Sequence, residues 1–172
     1  MPAFNSVYGS MIGRTTSWAV FILGIVYAVT TILGFLSLQS PQDPIGDPFF
    51  TIMELLTILI APLMATTMVA VHYHAAPEDR IYSLASVCFM FIMAGITSSV
   101  HFVILSVGHQ MKAAGLAGFP ILFSFKWPSV VYALDILAWD WFFAISVLLA
   151  APVFKAGRLE KTLRILMTVC GL

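Results

Sequence analysis

An all-α, polytopic membrane helix bundle is the fold class that the sequence predicts, and three observations predict it. The 172 residues are 60% hydrophobic and 9% charged, against roughly 45–50% and about 25% in ordinary soluble domains. Four segments are long and apolar enough to cross a bilayer, which takes about 20 residues. The connections between the first three are compact, so successive crossings are expected to run as antiparallel neighbours. The net charge is zero and no basic tract exists, so the footprint of a nucleic-acid binder is missing. The expected first partner is the lipid bilayer.

The first crossing is read over residues 18–38. Its apolar run is longer than the roughly 7–15 residues of a signal peptide and no small-residue cleavage site follows, so it is expected to be retained. The next stretch, SPQDPIGDP, packs three prolines and a glycine, none of which continues a helix cheaply. The second crossing covers 49–71 and ends in the charged AAPEDR. The third covers 81–107.

Between 108 and 129 the run GLAGFPILFSFKWP is too apolar for a free loop and too short to cross. An interfacial or re-entrant segment is therefore predicted over about 115–128, with Phe123, Phe125, Lys126 and Trp127 at the outer headgroup level. The fourth crossing covers 130–154. Beyond it, over 158–172, Leu159, Leu163 and Leu166 form one stripe and Glu160, Arg164 and Thr168 another. That pattern fits an amphipathic helix in the interface or an incomplete fifth helix, and both readings stay open. The whole chain is one membrane domain, 1–172.

Basic residues set the expected orientation, because short cytoplasmic loops carry the excess of lysine and arginine. Arg14, Arg80, Lys155, Arg158, Lys161 and Arg164 fall on one side, and Lys112 and Lys126 on the other. The N-terminus is expected in the cytoplasm.

With that orientation, the ionisable residues inside the crossings share a depth. Glu54, His101 and Asp135 each lie five or six residues from the outer end of their helix, and Asp140 lies roughly 15 Å from it, near the midplane. A charge at that depth costs about 2.5–3.5 kcal/mol even on the mild insertion scale, so such groups are expected to face protein or water and to find partners. Glu54, His101, Asp135 and Asp140 are accordingly the candidate ligand- or proton-binding residues. Thr97, Ser98, Trp139 and Tyr27 are candidate supporting residues. Asp135 and Asp140 stand about 140° apart around an ideal helix, so they are expected to address different neighbours. The structural alternative is that these polar groups only glue helices together, with Asp140 accepting an indole N–H from Trp139 or Trp141.

Weaker patterns point elsewhere. Met64, Met68 and His72 repeat at i, i+4 and i+8, a soft ligand set whose M-x-x-x-M spacing resembles that in a transmembrane helix of copper importers, though nothing else in the chain matches them; methionine as apolar filler is the commoner meaning. His72 and His74 lie at the opposite level from His101, a poor geometry for bis-histidine haem, and His109 is read as a loop residue. Ser98 and Ser99 precede His101 outside any G-x-S-x-G elbow. Cys88 and Cys170 are too far apart for a metal knuckle. Glu54, His101 and Asp135 make a chemically sensible set for one zinc or iron, but the paired E-x-x-H motifs of di-iron bundles are absent. No metal or cofactor is assigned.

Three function classes follow. The first is a membrane protein that binds a small molecule, ion or proton in a polar cavity of the outer half, with transport as a consequence. The second is a membrane-embedded enzyme acting on a lipid or isoprenoid, with His101 and a carboxylate as acid and base. The third is a structural or assembly subunit of a larger membrane complex. The sequence leaves open whether a second copy or another membrane protein is a partner.

Overall fold

The computed structural model describes residues 2–40 and 42–172, with side chains from Ser10 onward. Pro41, one of the three prolines of the first connection, lies outside the described residues. The helices are α1 (Pro2–Leu36), α2 (Phe49–His74), α3 (Arg80–Val103), α4 (His109–Ala113), α5 (Phe119–Phe123), α6 (Val130–Ile136), α7 (Ala144–Ala150) and α8 (Gly157–Cys170). A π-helical turn, Ile104–Gly108, joins α3 to α4, and a second, Leu137–Phe143, joins α6 to α7. Four helical stretches are long and apolar enough to cross a membrane: Ser10–Leu36, Phe49–His74, Pro77–Ala113 and Val130–Val153. The protein is an all-α, multi-pass membrane bundle.

Several boundaries differ from those expected: the first and third stretches begin at Ser10 and Pro77 rather than at 18 and 81, and the second runs to His74 rather than to 71. The first helix ends at Leu36, where Ser37 turns its hydroxyl back to the Gly34 carbonyl. The third crossing does not stop at residue 107 but runs through α4 to Ala113, because the apolar–polar switch at Gly108 breaks the hydrophobic pattern without breaking the helix. His109 is therefore helical and not a loop residue.

The crossings pack in chain order. α1 packs along α2, α2 along α3, and α3 along the fourth crossing; α1 and the fourth crossing do not pack along each other. Small side chains let the helices approach, as expected where lipid supplies no hydrophobic drive. Gly13 is so close to α2 that an added Cβ would meet the Ala70 Cβ at 2.7 Å. Beside it, Thr67 donates to the Thr16 hydroxyl at 3.0 Å.

Ala61, Ala65, Met68, Met90, Met93, Ala94, Ala138 and Ala150 form the main core between α2, α3 and the fourth crossing. Met64 packs against that core and His72 pairs with the Ser83 hydroxyl at 2.8 Å, so the methionine stripe of α2 is apolar filling. Within the core, Ser86 and Ser146 exchange hydroxyl-to-carbonyl hydrogen bonds between α3 and α7.

At the end of the bundle opposite the 37–48 connection, Lys155 lies 2.6 Å from Asp79 and 3.6 Å from Glu78. The hydrogen bond to the Asp79 carboxylate raises the Lys155 pKa. Glu160 then accepts the backbone N–H groups of Lys155 and Ala156, which starts α8. α8 folds back along α7, and Gly171 sits against the Ala144 carbonyl and Leu148. Since Ala144 is nine residues before Val153, α8 lies along the fourth crossing over roughly 13 Å.

Candidate functional site

His101 is the centre of the site. Its position four residues after buried Thr97 and one after buried Val100 turns it inward on α3. Its Nδ1 lies 2.8 Å from Glu54 Oε2 of α2. Its Nε2 lies 3.5 Å from Asp135 Oδ1 of α6. One imidazole is thus held between carboxylates from two other crossings. Glu54 and His101 are buried, at 3% and 6% exposure, which is affordable for such groups only because they pair. At 3.5 Å the contact to Asp135 is longer than an ordinary hydrogen bond and is an ion-pair contact, with Asp135 Oδ1 itself buried.

These three residues line the inner part of a cavity of about 1350 Å³. Its wall is contributed by all four crossings, with Tyr27 and Phe35 from α1, Glu54 and Thr57 from α2, His101 and Ile104 from the third and Asp135 and Trp139 from the fourth. On one flank the wall passes from α1 to the fourth crossing, which do not pack along each other. At the mouth stand Asp43, Asp47, His109, Lys112 and Lys126. The hydrogen bond from the Thr51 hydroxyl holds the Asp47 carboxyl below its ordinary pKa, with His109 and Lys112 adding in the same direction.

The 114–129 connection forms the roof. α5 places Phe123 in van der Waals range of Gly108, and Phe125 stacks on His101 with ring centroids 5.9 Å apart. Phe50 packs in turn against Phe125 and His109. Ser129 fixes the return into α6 by accepting the Tyr132 N–H as an N-cap and donating to the Ser124 carbonyl. The segment dips into the bundle and covers the imidazole; Trp127 and Lys126 are exposed.

Of the candidate residues, Glu54, His101 and Asp135 come together, and Tyr27 and Trp139 line the same cavity. Asp140 does not join them. It is exposed, and it makes no hydrogen bond or ion pair with the described residues. The angle between Asp135 and Asp140 around the helix explains the separation: Asp135 faces inward, and Asp140 sits beside exposed Trp141. Thr97 and Ser98 also lie outside the cavity lining. Thr97 is fully buried against the Met93 sulfur, and Ser99 returns its hydroxyl to the Gly95 carbonyl, as hydroxyls in membrane helices do.

The sequence reading missed Phe125, Phe50, His109 and Asp47. The apolar 115–128 run carried a signal for the first of these, since a stretch too greasy for a loop must cover something. His101 offers a different ring nitrogen to each carboxylate, so the three side chains do not converge on one point, and no metal-holding group of three His, Cys, Asp or Glu occurs among the described residues. Compared with known proteins, the chain matches no family model, no curated protein and no solved structure.

Proposed function

We propose that the protein binds a small organic molecule in the cavity closed by Glu54, His101 and Asp135, within the outer half of the membrane, with the N-terminus cytoplasmic. The observation that carries this reading is the pairing of a buried carboxylate–imidazole–carboxylate set with a cavity of about 1350 Å³. Ligand pockets run to about 300–1,000 Å³, mostly apolar with a few placed polar groups. A bare ion or proton needs no such space. Six basic residues at one end against two at the other support the orientation. Passage of the molecule across the membrane is a further step that this reading permits and does not require.

The test is a comparison of small molecules extracted from purified wild-type protein and from Asp135→Asn and His101→Ala, all prepared from the same membranes. A molecule retained by the wild type near one per chain and lost from folded variants supports the reading. Identical extracts from all three sink it.

A second reading rests on one geometric fact: a cavity-lining imidazole stands between two carboxylates, Glu54 at Nδ1 and Asp135 at Nε2, a set of groups able to exchange protons as general acid and base. In that reading the bound molecule is a lipid or isoprenoid substrate. Chemical change of the retained molecule on incubation with wild type, abolished by His101→Ala, would favour it over binding alone.

A further inference from the structure

Resting on the cavity-binding reading, the geometry points to the class of ligand: we propose an amphiphile with a cationic, hydrogen-bond-donating head, such as a primary ammonium, seated on Asp135 and admitted from the bilayer. Three independent features support this. The inner end of the cavity holds two carboxyls to one imidazole. The two lysines that line the cavity stand at its mouth, where Lys126 reaches the Gln42 carbonyl and Lys112 acts on Asp47, so neither neutralises the inner end.

The second feature is Asp135 itself: its buried Oδ1 faces His101 Nε2 at 3.5 Å, while the side chain as a whole stays 24% exposed and lines the cavity. A cationic donor head in the cavity can bond the accessible part of this carboxylate, while an anionic or acceptor-only head would set repelling lone pairs beside it.

The third feature is the body of the cavity. Phe50, Met53, Ile60, Ile104, Phe123 and Trp139 supply an apolar wall above the acidic end. α1 and the fourth crossing do not pack along each other, so the flank between them is the proposed way in. An apolar tail can occupy this space and extend into lipid while the head stays on the carboxylates. A small hydrophilic cation leaves that apolar wall unfilled.

The experiment measures saturable binding of radiolabelled octylamine, octanol and octanoate to protein in phosphatidylcholine nanodiscs, with empty nanodiscs subtracted. The expected result is one octylamine site per chain, at least tenfold tighter than octanol, with octanoate not bound. Asp135→Asn should weaken octylamine at least tenfold and leave octanol nearly unchanged; Glu54→Gln, a milder change, serves where Asp135→Asn does not elute as a monodisperse protein.

Saturable octanol or octanoate with no preference for the amine overturns the charge assignment and leaves the cavity reading standing. An octylamine preference that survives both variants overturns the seat on Asp135. If no octyl compound binds while the wild type still retains its own molecule in the extraction experiment, the amphiphilic-cation class is wrong. If neither experiment shows a bound molecule, the cavity reading falls as well.

Discussion

Ser86 and Ser146 each donate a hydroxyl to the other's backbone carbonyl, at 2.7 Å in both directions. Both residues are fully buried, and the two hydroxyls are themselves 3.1 Å apart. This reciprocal clasp joins α3 to α7 below the cavity and holds the fourth crossing, and with it Asp135, in register with His101. Interhelical hydrogen bonds in membranes average about 0.6 kcal/mol and reach about 1.7. Ser86→Ala and Ser146→Ala are each expected to cost on the order of 1 kcal/mol. Because each change also frees a partner, the double variant should cost less than the sum. Reversible unfolding in mild detergent or bicelles measures all three; strict additivity would show that the two serines act separately.

The approach of α1 to α2 depends on the missing side chain at Gly13, where a Cβ would press on Ala70. Gly13→Val should therefore destabilise the α1–α2 pair by about 1–3 kcal/mol, the usual cost of overpacking. Ala70→Gly in the same chain should recover part of the loss. Thermal unfolding of the single and double variants reads the effect, and an unaltered single variant would contradict the close contact.

Asp47 lies outside the crossings and accepts a hydrogen bond from Thr51, which holds its pKa below 3.8. A lowered folded-state pKa means that the contact contributes above the ordinary carboxylate value and is lost as pH falls through the folded value. Thr51→Val should move the Asp47 pKa back up, read by carboxyl carbon NMR, with the largest change in loop order below about pH 4. The group is exposed, so the effect on global stability should be small.

Asp140 is an exposed carboxyl near the middle of the fourth crossing, without a partner among the described residues. Asp140→Leu is expected to stabilise the isolated protein in a bilayer by about 2–3 kcal/mol, the insertion penalty of a central aspartate. Octylamine binding should be unchanged, since Asp140 is not in the cavity lining. Lower stability of Asp140→Leu in nanodiscs would mean that this carboxyl has a partner in the membrane.

Four crossings were legible because bilayer thickness makes length and hydropathy nearly decisive. The depth of Glu54, His101 and Asp135 was legible too, since helical rise converts sequence position into height. Rotation was not. Asp140 could be placed at its height and on a different face from Asp135, but not as the exposed group it is, and the π-helical turn over Leu137–Phe143 that carries it is a change of helical phase that no periodic pattern announces. Phe125 could be recognised as misplaced in a loop, but its stacking on His101 depends on how the 114–129 connection folds back. The orientation of α8 hinged on the close seat of Gly171 against Ala144, a contact between residues far apart in the chain.

The unpacked flank between α1 and the fourth crossing also changes how occupancy must be counted. A solute that reaches its seat sideways through hydrocarbon equilibrates with its mole fraction in lipid, not with its molarity in water. Diluting the protein at fixed lipid should leave saturation untouched, whereas adding empty vesicles should strip the seat even when total ligand is constant.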